Sequence, residues 1–181
     1  VRSEKAGEEE FSYHVGAEEG SKKAIVTYTT GEISLVTSTI EVTPKEISVY
    51  GDQIETTLEK SATVTIRLLD AKNNPPTDMP GVVVLTGLKL GTLTTGQAIT
   101  NGEVTLEHEG EGVYTAQIHS TMAGTDTLSF KYGKDASTLA QSSKVAPVRY
   151  HAGQASLETS SIEIDPKTIT ANGTSRANVT V

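Results

Sequence analysis

Apolar and polar residues alternate with a period of two along most of this chain. Ala62, Val64, Ile66 and Leu68 fall on one side of an extended backbone, and Thr63, Thr65 and Arg67 fall on the other. That pattern predicts a strand with one face buried. The same period recurs in Val104/Leu106, in Tyr114/Ala116/Ile118 and in Leu128/Phe130/Tyr132. Val82 to Leu85 is a continuous apolar run, which predicts an inner strand. Ile40/Val42 and Ile47/Val49 form two short runs separated by Pro44, which cannot donate to a ladder and belongs at an edge or a kink. A closing strand is expected from Val145 to Tyr150, with Ala146, Val148 and Tyr150 on one face. No segment sustains the 3.6-residue period of a helix.

Turn residues punctuate these runs. Asn73-Asn74-Pro75-Pro76 follows the strand that ends in Asp70, Asn101-Gly102 precedes Val104, and Gly110-Glu111-Gly112 leads into Val113. Seven or more short strands in about 115 residues predict a sandwich or a barrel. One segment reads two ways. Leu88–Ile99 is rich in Gly and Thr, and its Leu88, Leu90 and Leu93 need cover. It is either a long edge strand closing the core or a loop that contacts a partner. Tyr50 joins those leucines as a possible partner contact, because Ile47 and Val49 leave it facing outward.

The strand pattern recurs within the chain. Val26 to Gly51 aligns without a gap to Val148 to Gly173 at an offset of 122, and thirteen of 26 positions are identical. Among them are Tyr28/Tyr150, Gly31/Gly153, Ile40/Ile162, Pro44/Pro166 and Gly51/Gly173. Upstream, Ala6–Gly16 pairs with Ala123–Gly133 at an offset of 117. Downstream, Asn178–Val181 resembles Thr63–Ile66 after a gap of seven residues. A period near 120 residues fits an immunoglobulin-like sandwich. The expected organisation is all-β: immunoglobulin-like β-sandwich repeats in tandem, one complete repeat flanked by two partial ones. Residues 1–33 would close a preceding repeat, 34–153 would form the complete one, and 154–181 would open a third.

Composition narrows the function. The net charge of -8 disfavours binding to nucleic acid or anionic lipid. Without cysteine, disulfides and thiolate metal sites are excluded. No apolar run reaches the 18 residues or so that a membrane-spanning helix needs. His14, His108, His119 and His151 lack metal-ligand spacing, and His119, next to Ile118, is expected to face outward. No Gly-x-Ser-x-Gly motif or glycine-rich phosphate loop occurs, so no catalytic residue and no cofactor is expected. The acidic groups Glu8-Glu9-Glu10, Glu18-Glu19 and Glu107/Glu109/Glu111 could hold calcium at a junction, but no Asp-x-Asp-x-Asp-Gly spacing is present. A solvated acidic surface is the expectation, with no metal site.

Several short motifs then coincide: IEVTPKEI with its copy IEIDPKTI, the turn Asp70-Ala-Lys-Asn73-Asn74-Pro75, Pro80-Gly81-Val82, Gly112-Val-Tyr-Thr-Ala and Ser120-Thr-Met-Ala-Gly124-Thr. Together they resemble the bacterial immunoglobulin-like repeat of the invasin and intimin type. In that family the turn usually reads Asp-x-x-Gly-Asn-Pro. Here Asn73 replaces the glycine, and asparagine tolerates left-handed backbone angles. The resemblance implies a stalk or spacer repeat of an outer-membrane-anchored adhesin, displayed outside a bacterial cell and without enzymatic activity. Its partners would be neighbouring repeats of the same chain. A host surface protein is a further partner if the Leu88–Ile99 loop binds. Partial repeats with unpaired edges also invite strand exchange between copies.

Overall fold

A computed structural model describes residues 1–49, 57–76, 81–153, 157–158 and 160–181, and no helix occurs among them. The leading strands are β1 (Gly7–Phe11), β2 (His14–Val15), β3 (Glu18–Glu19) and β4 (Ala24–Tyr28); β1 pairs antiparallel with β4, and β2 with β3. The body comprises β5 (Thr39–Thr43), β6 (Glu46–Ser48), β7 (Ala62–Arg67), β8 (Val82–Thr86), β9 (Thr92–Leu93) and β10 (Glu103–Leu106). It continues with β11 (His108–Gly110), β12 (Val113–His119), β13 (Gly124–Gly133), β14 (Ala140–Gln141) and β15 (Ala146–His151). A final antiparallel pair joins β16 (Glu163–Asp165) to β17 (Asn178–Thr180).

The body is an immunoglobulin-like sandwich. One sheet runs β10-β8-β13-β15-β6 with β14 beside β13; the other runs β11-β12-β7-β5 with β9 beside β12. The inward residues expected from the alternation are the core: Ala62, Val64, Ile66 and Leu68 meet Tyr114, Ala116 and Ile118 from the same sheet and Val83, Leu85, Leu128, Phe130, Val148 and Tyr150 from the other, all of them buried. Burial of this kind stabilises by roughly 25 cal/mol for each Å² of apolar surface removed from water. Val83, Val84 and Leu85 are all buried, so both faces of β8 are covered there and the run carries no polar alternation.

Proline and asparagine act where their backbone chemistry predicts. β5 pairs with β7, whereas β6 pairs in parallel with β15, so the chain crosses between the sheets at Pro44-Lys45. Pro44 donates nothing there, and the Lys45 carbonyl accepts the Arg149 N–H at 2.8 Å. Asn73 has φ 65°, the left-handed geometry that the family's glycine would occupy. Asn101 and Gly102 have φ 53° and 77°, and Thr100 and Glu103 exchange both backbone hydrogen bonds at 3.0 Å across them. That is the tight hairpin turn an Asn-Gly pair favours.

Some expectations needed correction. Leu88–Ile99 is not a long edge strand: only Thr92–Leu93 pairs, against Ile118 and His119 of β12. Glycines at 87, 91 and 96 interrupt any ladder there. Tyr13, which the repeat alignment places inward, is 52% exposed and packs on Gly20. His119 is half-buried, and the Thr92 hydroxyl lies 3.2 Å from its Nε2. Tyr50 lies outside the described residues, as do residues 53–56 of the Gln53–Lys60 segment, near which the seven-residue gap of the repeat alignment falls. The end of that segment is tied back, with the Ser48 N–H donating to the Glu59 carbonyl at 2.8 Å.

Candidate functional site

Of the residues singled out as a possible partner contact, Leu88, Leu90 and Leu93 pack into or against the core, and Tyr50 lies outside the described residues. Leu88 and Leu93 are 4% and 5% exposed and belong to the core; Leu90 is half-buried against it. Their cover is the fold itself. A partner approaching this loop would meet Thr94–Ala98, the exposed tip, and neither Leu88 nor Leu93.

A buried carboxylate turns the leucines inward. Asp126, on β13, is fully buried and accepts the backbone N–H groups of Lys89 (3.2 Å), Leu90 (3.1 Å) and Gly91 (2.8 Å), together with the Tyr150 hydroxyl (3.2 Å). Burial pushes the Tyr150 phenol far above its ordinary range, and the Asp126 charge and hydrogen bond push it further. Ser120 ties the same loop from the other side by donating to the Leu90 carbonyl at 2.8 Å. A Cβ on Gly91 would lie 2.4 Å from the Tyr150 oxygen, so only glycine fits there without displacement.

A second buried carboxylate sits at one end of the sandwich. Asp70 is 5% exposed. Its Oδ1 accepts the N–H groups of Lys72 (2.8 Å) and Asn74 (2.9 Å), and its Oδ2 accepts the Asn74 side-chain amide (3.0 Å) and the Gly31 N–H (3.0 Å). Asn74 continues outward: its Oδ1 accepts the Ala6 N–H at 3.0 Å, and its Nδ2 donates to the Glu4 carbonyl at 2.9 Å. The Thr30 hydroxyl donates to the Pro75 carbonyl at 2.6 Å, and Lys72 pairs with Glu4. The motif that read as a turn therefore joins the leading residues to the sandwich. The segment after Gly31 is stitched down as well. Ser34 N–H donates to the Leu69 carbonyl at 2.8 Å, and Leu69 N–H donates to the Ser38 hydroxyl at 3.0 Å. This connection is a hydrogen-bonded joint.

The Asn74 amide, followed by the backbone donors of Asn74, Gly31 and Lys72, holds the Asp70 carboxyl far below the usual carboxylate range, against the opposing effect of desolvation. An unfolded aspartate titrates near about 3.9. A carboxyl depressed on folding contributes stability that is complete above that value and fades as pH falls below it. The Gly31 amide resonance is therefore expected to stay constant from neutral pH down to about pH 4 and to move only in stronger acid. A midpoint near the unstructured value would show that the joint does not hold Asp70.

Other candidates stay apart. Among the described residues no cluster of three or more His, Asp or Glu side chains is placed to hold a metal. His108 accepts the Gly112 N–H at 3.1 Å and packs on Tyr114, while His151 lies 3.2 Å from Glu46. Glu9 meets the Tyr28 hydroxyl at 3.1 Å. These contacts hold neighbouring strands together.

The two sheets and their crossing at Pro44 define an immunoglobulin-like sandwich protein. No family model matches the chain, and no curated protein matches it. Solved structures of bacterial adhesins share the fold. The Escherichia coli adhesin FdeC is 20% identical with a TM-score of 0.54, over 91% of this chain and 46% of that one. Invasin, described as a bacterial integrin-binding protein, is 21% identical with a TM-score of 0.51, over 96% of this chain and 31% of that one. InvD of Yersinia pseudotuberculosis is 18% identical with a TM-score of 0.52, over 88% and 42%. The chain thus spans less than half the length of each.

Proposed function

We propose that this chain is a non-enzymatic stalk segment of a bacterial surface adhesin of the invasin and intimin type. Residues 34–153 are one complete repeat, and residues 1–33 and 154–181 belong to its neighbours. The observation that carries the reading is the joint at Asp70 and Asn74. A spacer has to transmit orientation from one repeat to the next, and contacts from Glu4, Ala6, Thr30 and Gly31 all cross this short connection. The strand registers support the division. β1 and β4 set Gly7 opposite Tyr28, as β13 and β15 set Gly124 opposite Tyr150. Likewise β16 and β17 set Ile164 opposite Val179, as β5 and β7 set Val42 opposite Val64. The first pair matches the offsets of 117 and 122, and the second matches the seven-residue gap.

Anchoring at the outer membrane and display to the exterior belong to this reading, with a host surface protein as the partner of a more distal domain. Strand exchange between copies is compatible with it. Ile162, Ile164, Ile169 and Val179 are 45–68% exposed, whereas their repeat equivalents Ile40, Val42, Ile47 and Val64 are buried. The test is deletion of residues 32–153 from the parent protein, which removes one 122-residue period in register. Attachment of cells is expected to weaken through lost reach, the purified distal domain is expected to bind unchanged, and the purified 181-residue chain is expected not to bind host cells. Saturable binding by the purified chain, abolished by substitutions across Thr94–Ala98, would establish the loop as a receptor contact and overturn the spacer reading.

A further inference from the structure

The joint has two sides, and the sandwich carries a copy of the side it grips. On the gripped side the Ser3 hydroxyl donates to the Lys5 carbonyl and accepts the Lys5 N–H, both at 3.0 Å. This small turn presents the Glu4 carbonyl and the Ala6 N–H to the two ends of the Asn74 amide. Gly7 comes next, opposite Tyr28, and Gly31 lies three residues after that tyrosine.

At the other pole of the sandwich the Ser120 hydroxyl accepts the Met122 N–H at 3.0 Å and shares its one proton between the Met122 and Leu90 carbonyls, each 2.8 Å away. The turn is the same, so the Thr121 carbonyl and the Ala123 N–H stand where those of Glu4 and Ala6 stand. Gly124 comes next, opposite Tyr150, and Gly153 lies three residues after that tyrosine. Thr121, Met122 and Ala123 are all exposed, Met122 to 54%.

We infer that Thr121–Ala123 and Gly153 form the docking surface for a turn of the Asp70–Pro75 type carried by a following repeat. This rests on the stalk reading and deepens it. The asparagine of that turn would take the Thr121 carbonyl and the Ala123 N–H, and its aspartate would take the Gly153 N–H. The two joints differ in their side chains. Glu4, which pairs with Lys72, is replaced by Thr121, and Thr30, which donates to Pro75, is replaced by Ala152. The distal joint keeps the backbone contacts and loses these two, so it is the softer of the pair.

The experiment compares amide exchange in the 181-residue chain and in the parent chain extended through the following repeat. Ala6 and Gly31 are expected to be protected in both. Ala123 and Gly153 are expected to slow by about tenfold or more only in the longer chain, and to remain less protected there than Ala6 and Gly31. Replacing the asparagine of the following turn with alanine is expected to release Ala123 while the core amides of Ile66 and Phe130 stay protected. Equal exchange of Ala123 and Gly153 in the two chains, with Ala6 and Gly31 protected, would overturn the inference, as would a following repeat without the Asp and Asn. Host-cell binding by the purified chain would instead remove the stalk reading and leave the joint standing.

Discussion

Asp126→Ala is expected to cost about 3–5 kcal/mol of stability, because it strips the acceptor from four donors at once. The Lys89, Leu90 and Gly91 N–H groups and the Tyr150 hydroxyl all converge on that carboxylate, and Asp126 is fully buried. A buried donor left without a partner costs about 1–3 kcal/mol, and water entering at the exposed Lys89 would relieve part of the total. Domains of this size hold only about 5–15 kcal/mol, so the variant would lie close to the unfolding threshold. Tyr150→Phe supplies the comparison. It removes one donor and leaves three, for an expected loss of about 1 kcal/mol. Urea unfolding tracked by circular dichroism reads both variants. If Asp126→Ala cost no more than Tyr150→Phe, the carboxylate would not be what organises the 88–91 loop.

That loop also marks the limit of what the sequence declares. The strands were legible because burial of one face imposes a period of two on neighbouring residues. Val64, Ile66 and Leu68 report their own orientation, and the structure buries all three. Pro44, Asn73 and Asn101-Gly102 were legible for a different reason: each is a local backbone constraint, readable without knowing the rest of the fold. Leu88, Leu90 and Leu93 have neither property. Their direction is set by Asp126, 35 to 37 positions away from the amides it holds, and a contact of that separation leaves no periodic trace.

The joint was half legible for the same reason. The Asp70–Pro75 motif announced a turn, but its grip on Ala6 and Gly31 spans 68 and 39 positions. One signal could have revealed it. The Ser-x-x-Ala-Gly and Tyr-x-x-Gly patterns occur at 3–7 and 28–31 and again at 120–124 and 150–153, so a repeat comparison carried into the loops would have paired these poles.

Phe130→Ala is expected to cost about 3–5 kcal/mol, since it empties the space of a fully buried ring in the middle of β13. The Phe130 strand pairs with β8 on one side there, and its ring packs into the core cluster, so neighbouring side chains can close the void only partly. Its counterpart at the offset of 117 is Tyr13, which is 52% exposed and rests on Gly20. Tyr13→Ala is therefore expected to change stability by less than about 1 kcal/mol. The pair is informative because one repeat position is sampled twice in the same chain. Equivalent positions have equal consequences only if both lie in complete sandwiches. A large loss for Phe130→Ala beside a small one for Tyr13→Ala would show that this repeat position is core within residues 34–153 and surface within residues 1–33. Equal losses would mean that residues 1–33 unfold together with the sandwich, through the Asp70 joint, and the division at residue 33 would have to be given up.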